Sequence, residues 1–147
     1  MIFIAADHGG FKLKEHVKKA LKERGLKFVD LGPTKLNPKD DYPDFAAKVA
    51  KKVSASPEKD QGILVCTSGQ GMCIAANKFK NVRAALVWNI IEAKHSREHN
   101  YSNVLCLTAD YTSPELAEKI MDTWFDTPWS DDERHKRRVN KISSLEK

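Results

Sequence analysis

Cys66-Thr67-Ser68-Gly69-Gln70-Gly71 follows the apolar run Gly62-Ile63-Leu64-Val65 and leads into Met72-Cys73-Ile74-Ala75-Ala76. The order is that of a buried strand, a glycine-containing turn and a helix. Glycines in such a turn let backbone amides converge on an anion with no side chain in the way. The helix N-terminus adds partial positive charge, so the thiolate of Cys66 is expected to be favoured. One turn thus offers a base and donors for a developing oxyanion. The same residues read about equally well as a small buried thiol beside a structural turn. The turn lacks both the Gly-Lys-Ser/Thr ending of a P-loop and the full dinucleotide fingerprint, which argues against a nucleotide.

Other residues carry weaker signals. In Asp7-His8-Gly9-Gly10 the histidine can meet a phosphate and the aspartate a sugar hydroxyl, or the aspartate can simply cap the following helix. His95 and His99 are four residues apart and share a helical face, a spacing that zinc sites use. No glutamate follows His95 and no third ligand is evident, so no metal is expected. His99 and Asn100 at a helix end can form an acid/base pair facing a ligand, although a solvated histidine is more common. Arg134 and Arg138, also four apart, make a two-pronged clamp suited to phosphate, or else a solvated terminal charge run. A thiol, an anion-binding turn and histidines suit proton transfer next to a carbonyl better than hydride or phosphoryl transfer.

The elements that must position these residues alternate. Ile2 to Ala6, Leu26 to Leu31, Gly62 to Cys66, Val82 to Val87 and Asn103 to Leu107 read as strands. Between them, Phe11 to Arg24 carries Leu13, Val17, Ala20 and Leu21 on one stripe, with Lys12, Lys14, Lys18, Lys19 and Lys22 as its solvated face. Pro43 opens a second helix with Phe45, Val49 and Val53 inward, and Asn89 caps one that runs to about Glu98. Ser113-Pro114 starts another, lined by Leu116, Ile120 and Trp124, and a charged tail from Asp131 ends in a short helix with Val139 and Ile142. The pattern predicts an open, mostly parallel five-stranded sheet with helices on both faces. Ligands bind beyond the carboxyl ends of such strands, at Asp7 to Gly10, Cys66 to Gly71 and the region after Val87.

The bulk numbers set bounds. The 147 residues fit one domain, and a hydrophobic share of 41% supports a real core. No run is long enough to span a membrane, and Met1 to Gly10 does not read as a signal peptide. The three cysteines, Cys66, Cys73 and Cys106, have no zinc spacing and read as free thiols in a reducing, cytoplasmic compartment. A net charge of +5 raises nucleic-acid binding as a possibility, but the basic run at Arg134 to Arg138 has no aromatics to stack on bases. A small anionic ligand needs only a few of these charges, so neither nucleic acid nor membrane is the expected partner.

The chain resembles the type B ribose-5-phosphate isomerase family, which also includes galactose-6-phosphate isomerase subunits. The matching stretches are Asp7-His8-Gly9, Asp41-Tyr42-Pro43, Gly62 to Cys66, Gly71 through Ala75-Ala76-Asn77-Lys78, Arg83-Ala84, Ser96-Arg97-Glu98-His99-Asn100, Asn103-Val104-Leu105, Glu115-Leu116-Ala117, and Arg134-His135 with Arg138-Val139. The resemblance implies a Rossmann-like three-layer α/β/α sandwich acting in the pentose phosphate pathway without a cofactor. It implies a homodimer, often paired into a tetramer, with sites shared between subunits and residues 131–147 packed on the partner. By that resemblance Cys66 carries the C1/C2 proton, His99 opens the sugar ring and Asn100 holds substrate, the last two from the partner. The amides of Thr67, Ser68, Gly69, Gln70 and Gly71 steady an enediolate, and the Ser68 hydroxyl relays a proton between its oxygens. His8, Arg134 and Arg138 lie at the phosphate end, and Asp7 and Tyr42 meet the sugar. Two departures, Thr67 in place of a usual glycine and Asp110 where many members have a phosphate-binding arginine, leave alternatives: a hexose 6-phosphate, a tetrose phosphate, or a non-catalytic partner subunit.

Overall fold

A computed structural model describes residues 1–146. Five strands, β1 (Ile2–Ala6), β2 (Phe28–Asp30), β3 (Gln61–Cys66), β4 (Ala84–Leu86) and β5 (Val104–Thr108), form one parallel sheet in the order β2-β1-β3-β5-β4. Six helices are α1 (Phe11–Glu23), α2 (Tyr42–Ala55), α3 (Gln70–Ala76), α4 (Ile90–Glu98), α5 (Pro114–Asp126) and α6 (Glu133–Ser143). The architecture is the α/β/α sandwich expected from the alternation.

Strand side chains alternate between two cores because successive Cβ atoms point to opposite faces. Ile2, Ile4, Ala6, Ile63, Val65, Leu105 and Leu107 pack with α1, α5 and Ala93 of α4. Phe3, Ala5, Leu64, Cys66, Val104 and Cys106 pack with α2 and α3. Each fully buried aliphatic side chain contributes about 1.5–3 kcal/mol. Burial on both faces explains why the central strands read as unbroken apolar runs.

Local signals act where the sequence places them. The side chains of Asn89 and Ser113 accept the Glu92 and Leu116 amides and cap α4 and α5. The edge strands β2 and β4 are shorter than the apolar runs suggest, since each has a neighbour on one side only. One expectation fails. Lys14 is not on a solvated face but fully buried, its Nζ donating to Asp30 Oδ2 and the Pro33 carbonyl, each at 2.9 Å. Burial pushes the Asp30 carboxyl up, but Lys14, Lys18 and the Gly32 amide outweigh it and leave Asp30 below its ordinary range.

Candidate active site

The strand order reverses direction between β1 and β3, which are neighbours in register from Ile2↔Gln61 to Ala6↔Val65. A crevice at their carboxyl ends is the expected ligand position in such a sheet. Asp7 ends β1 and Cys66 ends β3, so the two lie side by side. The loops behind them touch: a Cβ on Gly9 would meet Thr67 Oγ1 at 2.0 Å, and one on Gly71 would meet the Tyr42 ring at 2.6 Å. Asp110 joins the same rim, its amide donating to the Thr67 carbonyl at 3.1 Å. Asp7, His8, Tyr42, Thr67, Ser68, Gly69, Gln70 and Gly71 are therefore gathered at one end of the sheet.

The turn after Cys66 depends on Gly69, whose φ of +76° lies in the left-handed region. There the Gly69 amide donates to Cys66 Sγ at 3.1 Å. The Gln70 amide reaches Ser68 Oγ at 3.4 Å. Cys66 itself is buried. Contrary to the expectation of a favoured thiolate, burial pushes the thiol above its ordinary value of 9.0. The Met72, Gly69 and Ser68 amides pull it down and the Asp7 carboxylate pushes it up, and the balance stays upward. Asp7 is buried and accepts the Gly10 amide at 3.0 Å, fixing the start of α1 while facing the thiol.

His8 is half-exposed at the rim. Its Nδ1 lies 2.7 Å from Asp40 Oδ1, and that hydrogen bond, helped by Asp7, raises the imidazole above its ordinary value. Asp40 has no signal in the sequence: it stands in a polar loop, and only the folded turn of Asn37 to Asp40 aims it at His8.

His99, Asn100, Arg134 and Arg138 are elsewhere. Helix α4 runs back from the end of β4, so His99 lies at the amino ends of the strands. There the Ser102 amide donates to the Ser96 carbonyl, and the Gly62 amide to Asn103. From Gly62 to Cys66 the strand spans about 13 Å at ~3.3 Å per residue. Helix α6 sits at the same far end. The Ser130 amide bonds the Glu98 carbonyl, and the His135 ring lies 4.5 Å from that of His99. His95 stacks on His99 from the other side at 4.6 Å. Burial, His135 and His95 lower the His99 imidazole below its ordinary value, which keeps it neutral near pH 7.

Arg134 and Arg138 are exposed on α6, with Arg134 Nε held by Asp132 at 2.8 Å. One chain therefore places its two groups of sequence-predicted site residues at opposite ends of the sheet, not in one pocket. Among the described residues no His, Cys, Asp and Glu side chains gather as a metal-ligating group.

The surface near the β4 edge is unusually apolar. Ile74, Trp88, Ile90 and Ile91 are 62%, 52%, 43% and 65% exposed. A cleft of about 740 Å³ lies beside them, lined by Asn77, Arg83, Ala85, Asn100 and Ile142 among others. It contains Asn100 but not Cys66.

Comparison with known proteins gives a consistent result. The ribose/galactose isomerase family matches residues 2–142. The probable ribose-5-phosphate isomerase B of Mycoplasma genitalium is 44% identical over 99% of this chain and 95% of its own length. The ribose-5-phosphate isomerase B of Escherichia coli is 40% identical over 99% and 95%. A crystal structure of the M. genitalium protein with bound ribulose 5-phosphate superposes with a TM-score of 0.95, covering 99% of this chain and 95% of that one. A ribose-5-phosphate isomerase B from Clostridium thermocellum gives 0.93 at 41% identity, covering 99% and 96%.

Proposed function

The chain belongs to the ribose/galactose isomerase family, and we propose on that basis that it interconverts ribose 5-phosphate and ribulose 5-phosphate by proton transfer between C1 and C2. The observation that carries the reading is the Cys66 thiol at the end of β3, beside Asp7 and under the Gly69 amide.

In the open-chain aldose the C2 proton is acidified by the neighbouring carbonyl. The Cys66 thiolate removes it, the C2–H electron pair becomes the C1–C2 double bond, and the oxygen charge develops on a cis-enediolate. Amides of Thr67, Ser68, Gln70 and Gly71 stabilise that charge where it forms, while the Gly69 amide steadies the thiolate. The Ser68 hydroxyl passes a proton from O2 to O1's side of the enediol, and the thiol returns its proton to C1. Asp7 and Tyr42 bind sugar hydroxyls, and His8 binds the phosphate. No step calls for a metal or organic cofactor.

His99 and Asn100 act from a second copy of this chain, with Arg134 and Arg138 of that copy on the phosphate. A neutral His99 accepts the anomeric hydroxyl proton as the C1–O4 bond breaks, and the imidazolium returns that proton to O4, so the ring opens with no net change of charge. Support for a shared site comes from the separation of the two half-sites and from the apolar face at Ile74, Trp88 and Ile91. In this reading the single 1–147 domain forms a homodimer or a pair of dimers, and the tail 131–147, whose last residue lies outside the described residues, packs on the partner. Its three free thiols suit a cytoplasmic enzyme of the pentose phosphate pathway.

The test is an assay of purified, metal-free protein with ribose 5-phosphate, following ribulose 5-phosphate. Turnover that survives chelation supports the reading. A folded, dimeric protein with no turnover refutes it and turns attention to hexose 6-phosphates and tetrose phosphates, for which Asp110 at the rim beside Thr67 is the structural motive.

A further inference from the structure

We propose that Asp40 is a positioning residue that fixes the ring of His8 and presents its Nε2–H to the phosphate of the substrate; this rests on the function proposed above. Asp40 comes from the loop between β2 and α2, and His8 from the loop after β1, 32 residues away. The two meet twice through one oxygen. Asp40 Oδ1 accepts the His8 backbone amide at 3.1 Å and the ring Nδ1 at 2.7 Å. The carboxylate is only 6% exposed, while the His8 side chain is 43% exposed. Its second oxygen, Oδ2, is buried with no hydrogen-bond partner. Among the described residues the buried charge is therefore directed at His8 alone and is not shared with a lysine or arginine.

The chemistry follows from the tautomer. With Nδ1–H donated to Asp40, a neutral ring leaves Nε2 as a bare lone pair, which repels a phosphate oxygen. A protonated ring offers Nε2–H to it. The buried carboxylate favours the protonated form, and so does Asp7, the other charged group acting on this ring, while burial opposes them. Asp40 thus sets both the direction in which the ring donates and the pH range over which it can. Neither effect is available from His8 by itself, since an exposed histidine rotates freely and is mostly neutral above its ordinary value of 6.5.

The test uses the full chain and the isosteric variant Asp40→Asn, which keeps an oxygen for Nδ1–H but removes the charge. Histidine ¹⁵N NMR, with His8 assigned by loss of its signal in His8→Gln, should show the His8 midpoint falling in Asp40→Asn. KM for ribose 5-phosphate should rise about fivefold at pH 8 and approach the wild-type value at pH 6, where the ring is protonated in either protein, with kcat changed by less than about twofold. An unchanged His8 midpoint, or a KM raised equally at pH 6 and pH 8, overturns the proposal, the latter because a merely structural loss has no reason to vanish in acid. If the wild-type protein does not turn over ribose 5-phosphate, the function reading fails on its own. The same NMR titration, with inorganic phosphate as the ligand, then decides for or against Asp40.

Discussion

Mixing two inactive variants, Cys66→Ala and His99→Asn, should restore about one quarter of wild-type activity. Cys66 ends β3 at the carboxyl edge of the sheet, whereas His99 lies beyond Gly62 at the other edge, roughly 13 Å of strand away. Proton transfers need contact at about 3 Å, so one chain cannot bring both groups to one sugar. In a two-fold dimer, each site takes Cys66 from one copy and His99 from the other.

Equal amounts of the variants, exchanged at random, give about half mixed dimers. Each mixed dimer holds one site with both groups intact and one with neither, so about one quarter of all sites work. The assay is ribulose 5-phosphate formation after mild dissociation and reassociation, with native mass spectrometry to prove exchange. If each site lay within a single chain, every site in the mixture would lack one group. No recovery despite proven exchange would therefore refute the shared site.

Three further outcomes can be checked directly. Cys66→Ala alone should abolish turnover yet lower stability by only about 1 kcal/mol in urea denaturation, because a small buried thiol is replaced by a smaller apolar group; substantial residual activity would remove Cys66 as the base. Lys14→Ala should cost about 2–3 kcal/mol, at or below the low end for breaking a buried pair, because Lys18 still reaches Asp30 at 2.7 Å. Since the folded Asp30 titrates below its ordinary 3.8, its contribution is full above that pH and is lost as pH falls through the lower folded value, so the gap between wild type and variant should narrow in acid urea titrations. Trp88→Asp combined with Ile91→Asp should yield monomers by analytical ultracentrifugation with turnover lost; dimers that persist would exclude the apolar edge as an interface, and fully active monomers would refute the shared site.

Much of the fold is legible because its determinants are local. Asn89 and Ser113 cap the helices they precede, and the unbroken runs at Ile63 and Leu105 mark strands buried on both faces. The site is legible only in pieces. The thiol, the glycine turn and the histidines are identifiable by type, but which end of the sheet each occupies depends on the length and direction of the helices between them. Lys14 shows the limit of periodicity: a lysine on a helix facing other lysines looks solvated until the end of β2 and the loop after it bring Asp30 and Pro33 over it. Asp40 shows another, since nothing in a polar loop announces which residue will be turned inward.

The acidity of Cys66 bears on whether one chain can work alone. Within one chain burial and Asp7 both hold the thiol protonated, and three backbone amides do not overcome them. A base in that state is poorly prepared to take a carbon-bound proton. The cationic groups that the proposed mechanism needs for the phosphate, Arg134 and Arg138, are solvent-facing at the far end of the same sheet, out of reach of a sugar bound at their own Cys66. Association through the apolar edge at Trp88 and Ile91 would change that by bringing the arginines and His99 of one copy to a sugar phosphate held beside the Cys66 of the other. Burial of the edge and completion of the site are then consequences of the same contact. An isolated chain would keep its fold, since both cores close without help from a partner, but in the proposed mechanism it would hold its base protonated and its ring-opening histidine out of reach.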